Sequence, residues 1–438
     1  MVRPGRSFVP IVAVCAACSS SDAEPGATSP PPSDDGGRAS PIEPEKKPEE
    51  PECKEGDCAP EAPPTPTDGV KNGDETDVDC GGANAPKCEV GKKCEKHTDC
   101  KSDACPSKVC LSSRSCKQHF GGDTCGAGEV GQDGAKHEDC CLSIRPGEHD
   151  FRVDKYLVTA GRMRAFIDEV RAENGGVPNV RAWVAAHPDR VPNWQAAWNV
   201  SLPSSEAELV QMIGTGHDPG AYWTTAGQAN GCYVGGQGAP TYWHSAANLS
   251  NFAGDVARVY TQEQLDVKVL NCTPAAMFAA FCAYDGGRLP TSAEWLLAVR
   301  GKETAAERLF PWGNPVAPRT NTAAVNAEIA QRASYNKNYQ FPPTPAGLPA
   351  DALAADGRSR DRGFEVPAPG RFPLGAGPFG HADLLGVAET MVFDQRFVMI
   401  RQYAFQEAYY NVQAYGNLIN RQQYTSHYAV AARCARPL

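Results

Sequence analysis

The chain has 438 residues and a formal net charge of −10, which is enough material for two or three domains with a large apolar core. The acidic balance and the lack of a basic stripe argue against nucleic acid as a partner, because a phosphate-binding face needs clustered lysine and arginine. The 18 cysteines far exceed ordinary usage, and most of them lie between Cys53 and Cys141, which indicates disulfides in an oxidising compartment or metal clusters.

Residues 1–18 look like a bacterial lipoprotein signal peptide. Two arginines precede an apolar run from Phe8 to Ala17, which suits a signal sequence and is too short to cross a bilayer. The pattern predicts export, lipidation of Cys18 and a membrane anchor in the cell envelope, at the outer membrane or cell surface. Cys15 stands where such signals usually carry leucine, so plain signal peptidase cleavage is the alternative.

Residues 19–67 are rich in Pro, Ser, Asp, Glu and Lys and almost lack aromatic and branched apolar side chains. Such a segment cannot bury enough apolar surface to offset the entropy that it would lose on ordering. We therefore expect a disordered, extended linker that holds the rest of the chain away from the membrane.

Residues 68–139 form a cysteine-rich region with Gly, Lys and Asp between the cysteines. Because so little apolar material is present, the fold needs covalent cross-links, and export supplies the oxidant. Zinc is the competing interpretation, since His97 and His119 lie nearby, but no repeated C-x2-C pair occurs. We predict a disulfide module whose connectivity the sequence leaves open.

An acidic stretch opens this module. Asp74, Asp77 and Asp79, together with Asn72, offer the hard oxygen ligands that calcium prefers. Their spacing does not match an EF-hand loop, which favours a solvated acidic turn, and a calcium site is the alternative. Calcium is the cofactor that this alternative implies.

Residues 140–438 are predicted to form one large domain with several capped helices. Thr159 is placed to cap one helix, and the box Ser205–Glu208 is placed to open another. Thr273 is predicted as the cap of a third helix, with Pro274 at its first position.

The stretch Gly286–Arg300 contains the clearest helix start. Thr291 is predicted as the N-cap, and Glu294 can return a hydrogen bond to the cap's backbone N–H. Gly301 can end the helix in a left-handed conformation. Residues 321–380 carry many Pro and Gly, so regular structure is expected to be scarce there. Together these features predict an irregular α+β fold with short strands and long ordered connections.

Four segments occur in the order expected of one family. They are FRVDKYLVTAGRMRAFI (Phe151–Ile167), GRLPTSAEW (Gly287–Trp295), FPWGN (Phe310–Asn314) and ARCAR (Ala432–Arg436). This set resembles the formylglycine-generating enzyme family, also called the sulfatase-modifying-factor family, whose fold is a variant of the C-type lectin fold. The resemblance implies a disulfide between the cysteine before the RLPT loop and the one in the closing strand.

In this chain those two cysteines are Cys282 and Cys434, which leaves Cys232 for Cys272. The resemblance also implies a chemistry: the family oxidises a cysteine of a client sulfatase with oxygen activated at Cu(I) held by two thiolates. In the family both thiolates precede the closing strand, yet residues 283–433 contain no cysteine. Copper is therefore not expected, and a substitute site at Cys232 and Cys272 is the alternative.

Two further family segments are altered. Where the family has RGGSW, this chain has Arg401-Gln402-Tyr403, and we take Arg401 and Tyr403 as candidates for a cleft. Where the family has GNVWEW, the segment around Glu389 lacks the asparagine that helps to bind calcium. Glu389 remains a candidate calcium ligand.

Two functions follow. The first is a tethered, non-catalytic binding module that holds a protein or glycan at the cell surface, and Trp183, Trp194 and Trp198 offer either core packing or a sugar-stacking face. The second is an oxidoreductase of the formylglycine-generating type that acts on cysteine thiols through a non-standard metal site. Fold alone does not choose between them. The missing thiol pair favours the first.

Overall fold

The computed structural model describes residues 65–105, 108–117, 121–214, 241–243, 261–302, 308–316, 322–334, 366–400, 418–420 and 430–438. All of these residues belong to one compact unit, Pro63–Leu438. The predicted signal peptide with Cys18, and nearly all of the predicted linker, lie outside the described residues, as do Cys232, Arg401 and Tyr403. No helix in the described part of the chain has the length and apolar character that a membrane span requires.

The cysteine-rich module is held together by sulfur rather than by regular structure. One short 3₁₀ turn, His97–Asp99, is its first regular element. Six buried cysteines make up its core and pair as three disulfides, Cys80–Cys88, Cys94–Cys105 and Cys100–Cys110. The disulfide prediction is therefore correct for these residues. The zinc alternative is wrong for them, because sulfurs in disulfides cannot act as thiolate ligands.

Two more disulfides lead from this module into the large domain. Cys116 pairs with Cys141, and Cys125 pairs with Cys140, so each half of the Cys140-Cys141 dipeptide is bonded to a different upstream cysteine. The Cys125–Cys140 bond closes the antiparallel strand pair β1 (Cys125–Ala127) and β2 (Lys136–Glu138).

The large domain contains two small sheets. Strands β3 (Ser143–Ile144), β4 (Phe151–Asp154) and β9 (Ala435–Pro437) form an antiparallel sheet in the order β3-β4-β9. The second sheet has the order β7-β6-β5-β8, and its only parallel pair among the described strands is β5 with β8. Its strands are β5 (Glu389–Phe393), β6 (Phe397–Ile400), β7 (Leu418–Asn420) and β8 (Val430–Ala432). The closing strand β9 therefore pairs with the opening strand β4.

Seven α-helices occur within the described residues. They are α1 (Ala160–Glu173), α2 (Val180–Ala186), α3 (Glu206–Leu209), α4 (Gln262–Asp266), α5 (Ala275–Tyr284), α6 (Ser292–Arg300) and α7 (Thr322–Ala330). Short 3₁₀ turns at Ala196–Ser201 and Pro373–Gly375 and a π turn at Val210–Gly214 complete the set. The mixture of helices and short strands confirms the α+β prediction.

The predicted helix starts differ in how well they hold. Thr159 caps α1 by accepting a hydrogen bond from the N–H of Arg162, as expected. Thr291 and Glu294 form the complete capping box of α6. The prediction for α5 is wrong by one residue: Pro274 is the N-cap, and the hydroxyl of Thr273 donates to the carbonyl of Asn271 instead.

The second predicted box is only half formed. Ser205 accepts from the N–H of Glu208, but the Glu208 carboxylate accepts from the N–H and the hydroxyl of Ser204 rather than from the cap residue. A single hydroxyl can satisfy only one of the orphan donors of a helix start, and the neighbouring serine competes for the carboxylate.

The main core is built from α1, α2 and α5. Phe166, Trp183, Phe281 and Tyr284 are fully buried, and their rings meet mostly edge to face. Met391 and Val430 join the same cluster from the second sheet. Burying aromatic side chains of this size stabilises the folded state by about 1.5–3 kcal/mol each, so this cluster is a main source of stability for the large domain.

Candidate functional site

The loop before α6 is fixed to the closing strand. The N–H of Arg288 donates to the carbonyl of Ala435 at 2.9 Å, and the N–H of Ala435 returns a bond at 2.7 Å. A side chain at Gly287 would place its Cβ 2.4 Å from that same carbonyl oxygen, so this approach requires glycine. Arg288 also forms a two-pronged ion pair with Glu294, whose other role is in the capping box.

The sulfur atoms of this region are bonded to one another. Cys282 at the end of α5 forms a disulfide with Cys434, immediately before β9, with a Cα–Cα distance of 5.4 Å. Both residues are fully buried. This is the disulfide that the family resemblance implied. Cys272 is also disulfide-bonded, while Cys232, its expected partner, lies outside the described residues.

A Cu(I) site of two thiolates does not fit these residues. A thiolate ligand needs a reduced, accessible sulfur, and Cys282, Cys434 and Cys272 are each oxidised. The chain between Cys282 and Cys434 supplies no other sulfur from cysteine.

The remaining sequence candidates in this domain are only partly described. Glu389 is buried at the start of β5, where its backbone pairs with Val430 in the parallel register. Arg401 and Tyr403, the candidate cleft residues, lie outside the described part of the chain. Glu389 therefore stays a candidate calcium ligand at a buried strand end.

The acidic residues of the cysteine-rich module point in different directions. The Asp74 carboxylate accepts from the N–H of Ala83 at 2.6 Å, and the Asp77 carboxylate accepts from the N–H of Lys93 at 2.7 Å. Each of these backbone hydrogen bonds lowers the pKa of the carboxyl that accepts it. Among the described residues, Asp74, Asp77 and Asp79 do not bring three ligand oxygens together.

A buried ionic network that the sequence reading missed lies beside the closing strand. Arg162 of α1 donates to Asp154 at 3.2 Å and to Asp285 at 2.6 Å, and Arg436 of β9 donates to the same two carboxylates at 2.9 and 3.1 Å. Burial alone would raise the pKa of Asp285, but Arg436 and Arg162 hold that pKa far below its usual range. All four charges are thereby compensated inside the domain.

The same network binds the cysteine-rich module. The hydroxyl of Ser113 donates to Asp285 at 2.6 Å, and the N–H of Ser115 donates to the other oxygen of that carboxylate at 2.8 Å. Arg162 donates in turn to the hydroxyl of Ser115. Asp285 therefore joins the module, α1 and the closing strand at one point. The signal in the sequence was the presence of Arg162, Asp285 and Arg436 within otherwise apolar or family-like segments.

A second buried polar cluster surrounds Arg433. Its guanidinium donates to backbone carbonyls, including those of Ala382 and Asp383. The Asp383 carboxylate accepts from the N–H of Gly370 at 2.7 Å, and burial raises the pKa of Asp383 to about 6. Burial also lowers the pKa of His381 to about 3, with the nearby charge of Arg433 acting in the same direction. Between about pH 4 and pH 6 both groups are therefore neutral, whereas a free aspartate and a free histidine would both be charged.

One of the three candidate tryptophans packs in the core, and the other two are partly exposed. Trp183 is fully buried and stacks on His187, so it belongs to the core. Trp194 and Trp198 are only partly buried and meet edge to face at 5.0 Å. Trp198 also contacts Phe397 in the β5–β6 hairpin. These two rings form a partly exposed aromatic pair beside that hairpin.

Comparison with known families identifies one family for this chain. The model of the sulfatase-modifying factor enzyme 1-like domain matches residues 126–350, which is more than half of the chain. The match starts at the second residue of β1 and includes all of β2. A search of curated proteins finds no match. The chain belongs to the sulfatase-modifying factor family.

Proposed function

We propose that this chain is an exported, lipid-anchored member of the family whose domain binds a protein or glycan ligand and does not carry out copper-dependent oxidation of thiols. Lipidation at Cys18 and the acidic, proline-rich linker would attach the domain to the cell envelope while leaving it free to reach a ligand.

One observation carries the non-catalytic part of the proposal. Oxidation of a client cysteine in this family needs two reduced sulfurs that grip Cu(I) next to the substrate thiol. Here the sulfur nearest the closing strand, Cys434, is bonded to Cys282, and no cysteine lies between them in the sequence. Because the chain lacks the pair of cysteines that would hold Cu(I) at this place, we expect no copper-dependent oxidation of a client cysteine.

The proposal that the domain binds a ligand rests on its altered family segments and on an aromatic pair. Glu389 and the altered segment at Arg401 and Tyr403 are the positions where the chain departs from the family pattern, and Trp194 and Trp198 add a partly exposed aromatic surface. Aromatic faces beside polar groups are suited to stacking on sugar rings or on side chains of a protein ligand.

An anaerobic titration tests the loss of copper chemistry. Full-length protein with its native disulfides is titrated with Cu(I) in competition with a coloured chelator, beside a Cys272→Ser variant. We expect both proteins to leave the metal with the chelator. Tight stoichiometric binding by the wild-type chain that disappears in Cys272→Ser would establish a substitute thiol site and overturn the proposal.

A binding screen tests the other half. The full-length chain is applied to a glycan array and to envelope proteins, with and without a calcium chelator, beside Trp198→Ala. We expect a ligand whose signal falls at least tenfold in Trp198→Ala. The exposed variant Leu374→Ala serves as the control and should bind normally. Equal binding by all three proteins would remove Trp198 from the ligand site.

A further inference from the structure

The acidic loop of the cysteine-rich module folds back on itself in a way that its sequence did not reveal. The Nδ2 of Asn72 donates to the Asp68 carboxylate at 2.9 Å. One oxygen of Glu75, Oε2, accepts from the N–H of Asn72 at 3.3 Å and from the N–H of Asp79 at 3.2 Å. Glu75 is therefore seated between Asn72 and Asp79, in the middle of the loop.

Asp79 closes the loop. Its Oδ1 accepts from the N–H of Gly69 at 2.8 Å, so the two ends of the segment lie side by side. Asp79 itself has a φ of 57°, in the left-handed region, which is uncommon for residues other than glycine but more accessible to aspartate than to most. These hydrogen bonds make Asp68, Asn72, Glu75 and Asp79 neighbours within one loop, while the carboxylates of Asp74 and Asp77 bind the N–H groups of Ala83 and Lys93 outside it.

The other oxygen of Glu75 is the observation that points to a ligand. Glu75 is only 8% exposed, and its Oε1 is buried without a hydrogen-bond partner in the part of the chain that the structure describes. No lysine or arginine forms an ion pair with it there. A buried carboxylate oxygen with no donor and no counter-charge costs several kcal/mol, which proteins avoid by pairing it or by binding a metal.

The charge of the segment makes the imbalance larger. Residues 68–79 carry five carboxylates and a single basic residue, Lys71. The hard oxygen donors of Asp and Asn match calcium, which accepts six to eight oxygen ligands in irregular geometry and tolerates an uneven loop better than magnesium does. Soft metals are disfavoured because the nearby sulfurs are in disulfides.

We propose that this loop is a calcium site in which Glu75, Asp79 and Asn72 are ligands and Asp68 completes the set. The carboxylate oxygens of Asp68, Glu75 and Asp79 are not all within 4.8 Å of one another, so the loop has to close around the ion when it binds. Main-chain carbonyls and water supply the remaining ligands. The ion neutralises Glu75 and ties the first turn of the module, close to where the linker ends.

Calorimetric titration of calcium chloride into chelator-treated full-length protein tests the site. We expect one-to-one binding, with a dissociation constant on the order of 10⁻⁴ M as in other extracellular modules. Glu75→Gln keeps the shape of the side chain but removes its charge and should weaken binding at least tenfold. Asp79→Asn is the second variant, in case Glu75→Gln alters folding, and should weaken binding similarly.

Asp77→Asn is the matched control, because it removes one charge from the same segment but its carboxylate faces Lys93. It should change the dissociation constant less than threefold. Glu389→Gln should leave this binding intact, which separates the loop from any cation held in the large domain. No calcium heat from the wild-type chain at millimolar calcium overturns the proposal, and so does an equal loss in Asp77→Asn and Glu75→Gln, which would indicate only a diffuse acidic surface.

Discussion

The cysteine-rich module and the large domain reach stability by different routes. The module closes short loops with disulfides, such as Cys94–Cys105 and Cys100–Cys110, separated by 11 and 10 residues in sequence. The large domain relies on an apolar core and on a long-range disulfide, Cys282–Cys434, whose partners are 152 residues apart. A small region without a core needs many local cross-links, whereas a large one gains most from a single long-range bond.

Asp285 connects the cysteine-rich module to the large domain. Its carboxylate accepts from Ser113 and Ser115 of the module and pairs with Arg162 and Arg436 of the large domain. The module is thus attached by charge as well as by the disulfides at Cys140 and Cys141. Changes in either region can therefore be separated only by probes that report on one of them.

The largest effect is expected from removing the long-range disulfide. In the chain-entropy model, Cys282→Ser with Cys434→Ser lowers the free energy of unfolding by about 5 kcal/mol, since the closed loop is so long. All seven tryptophans lie at or beyond position 183, so urea unfolding followed by tryptophan fluorescence reports on the large domain. An unchanged transition would show that this bond does not stabilise the native domain.

The buried ionic network comes next. Asp285→Asn removes the charge that Arg162 and Arg436 share and should lower the free energy of unfolding by about 3–5 kcal/mol, because two buried guanidiniums lose a counter-ion. The control is Asp150→Asn, whose side chain is 99% exposed, and it should change stability by less than about 0.5 kcal/mol. Similar unfolding midpoints for the two variants would contradict this account of the network.

A local disulfide should matter less. Cys100→Ser with Cys110→Ser opens a loop of 10 residues, which the chain-entropy model values at about 2.7 kcal/mol. We expect faster hydrogen exchange within residues 80–110 and an unchanged tryptophan transition. Loss of the tryptophan transition as well would mean that the large domain depends on the module for its own folding.

The smallest effect depends on pH. Burial raises the pKa of Asp383 to about 6, so the folded state holds its proton more tightly than the unfolded chain does. Stability is therefore lost as the pH rises from about 4 through 6. Asp383→Asn mimics the protonated form and should equal the wild type near pH 4 but exceed it by about 2 kcal/mol at pH 7. Parallel stability–pH curves for the two proteins would show that Asp383 does not titrate in this range.

Local signals in the sequence were the easiest to interpret. Thr159 and the Thr291–Glu294 pair specify helix starts through hydrogen bonds within one turn, so the α1 and α6 caps could be predicted without tertiary information. The prediction of Thr273 as the N-cap was wrong because Pro274 is compatible both with the first helical position and with the N-cap position. The family motifs supplied the Cys282–Cys434 pairing, which periodicity alone could not.

Long-range arrangements could not be read in the same way. The partners of Asp285 come from Ser113, Arg162 and Arg436, which are far apart in sequence and meet only through the fold. The acidic loop shows the same limit: composition identified Asp74, Asp77 and Asp79, but only the fold shows that the backbone N–H groups of Ala83 and Lys93 bind the Asp74 and Asp77 carboxylates.

The central claim is that this family member does not oxidise thiols, and a turnover assay tests it most directly. Full-length protein is preloaded with Cu(I), exposed to oxygen with cysteine-containing peptides and analysed by mass spectrometry of the peptide. The account predicts peptide oxidation no faster than with free copper at the same concentration. Catalytic conversion of the peptide cysteine to an aldehyde, abolished by Cys272→Ser, would contradict it.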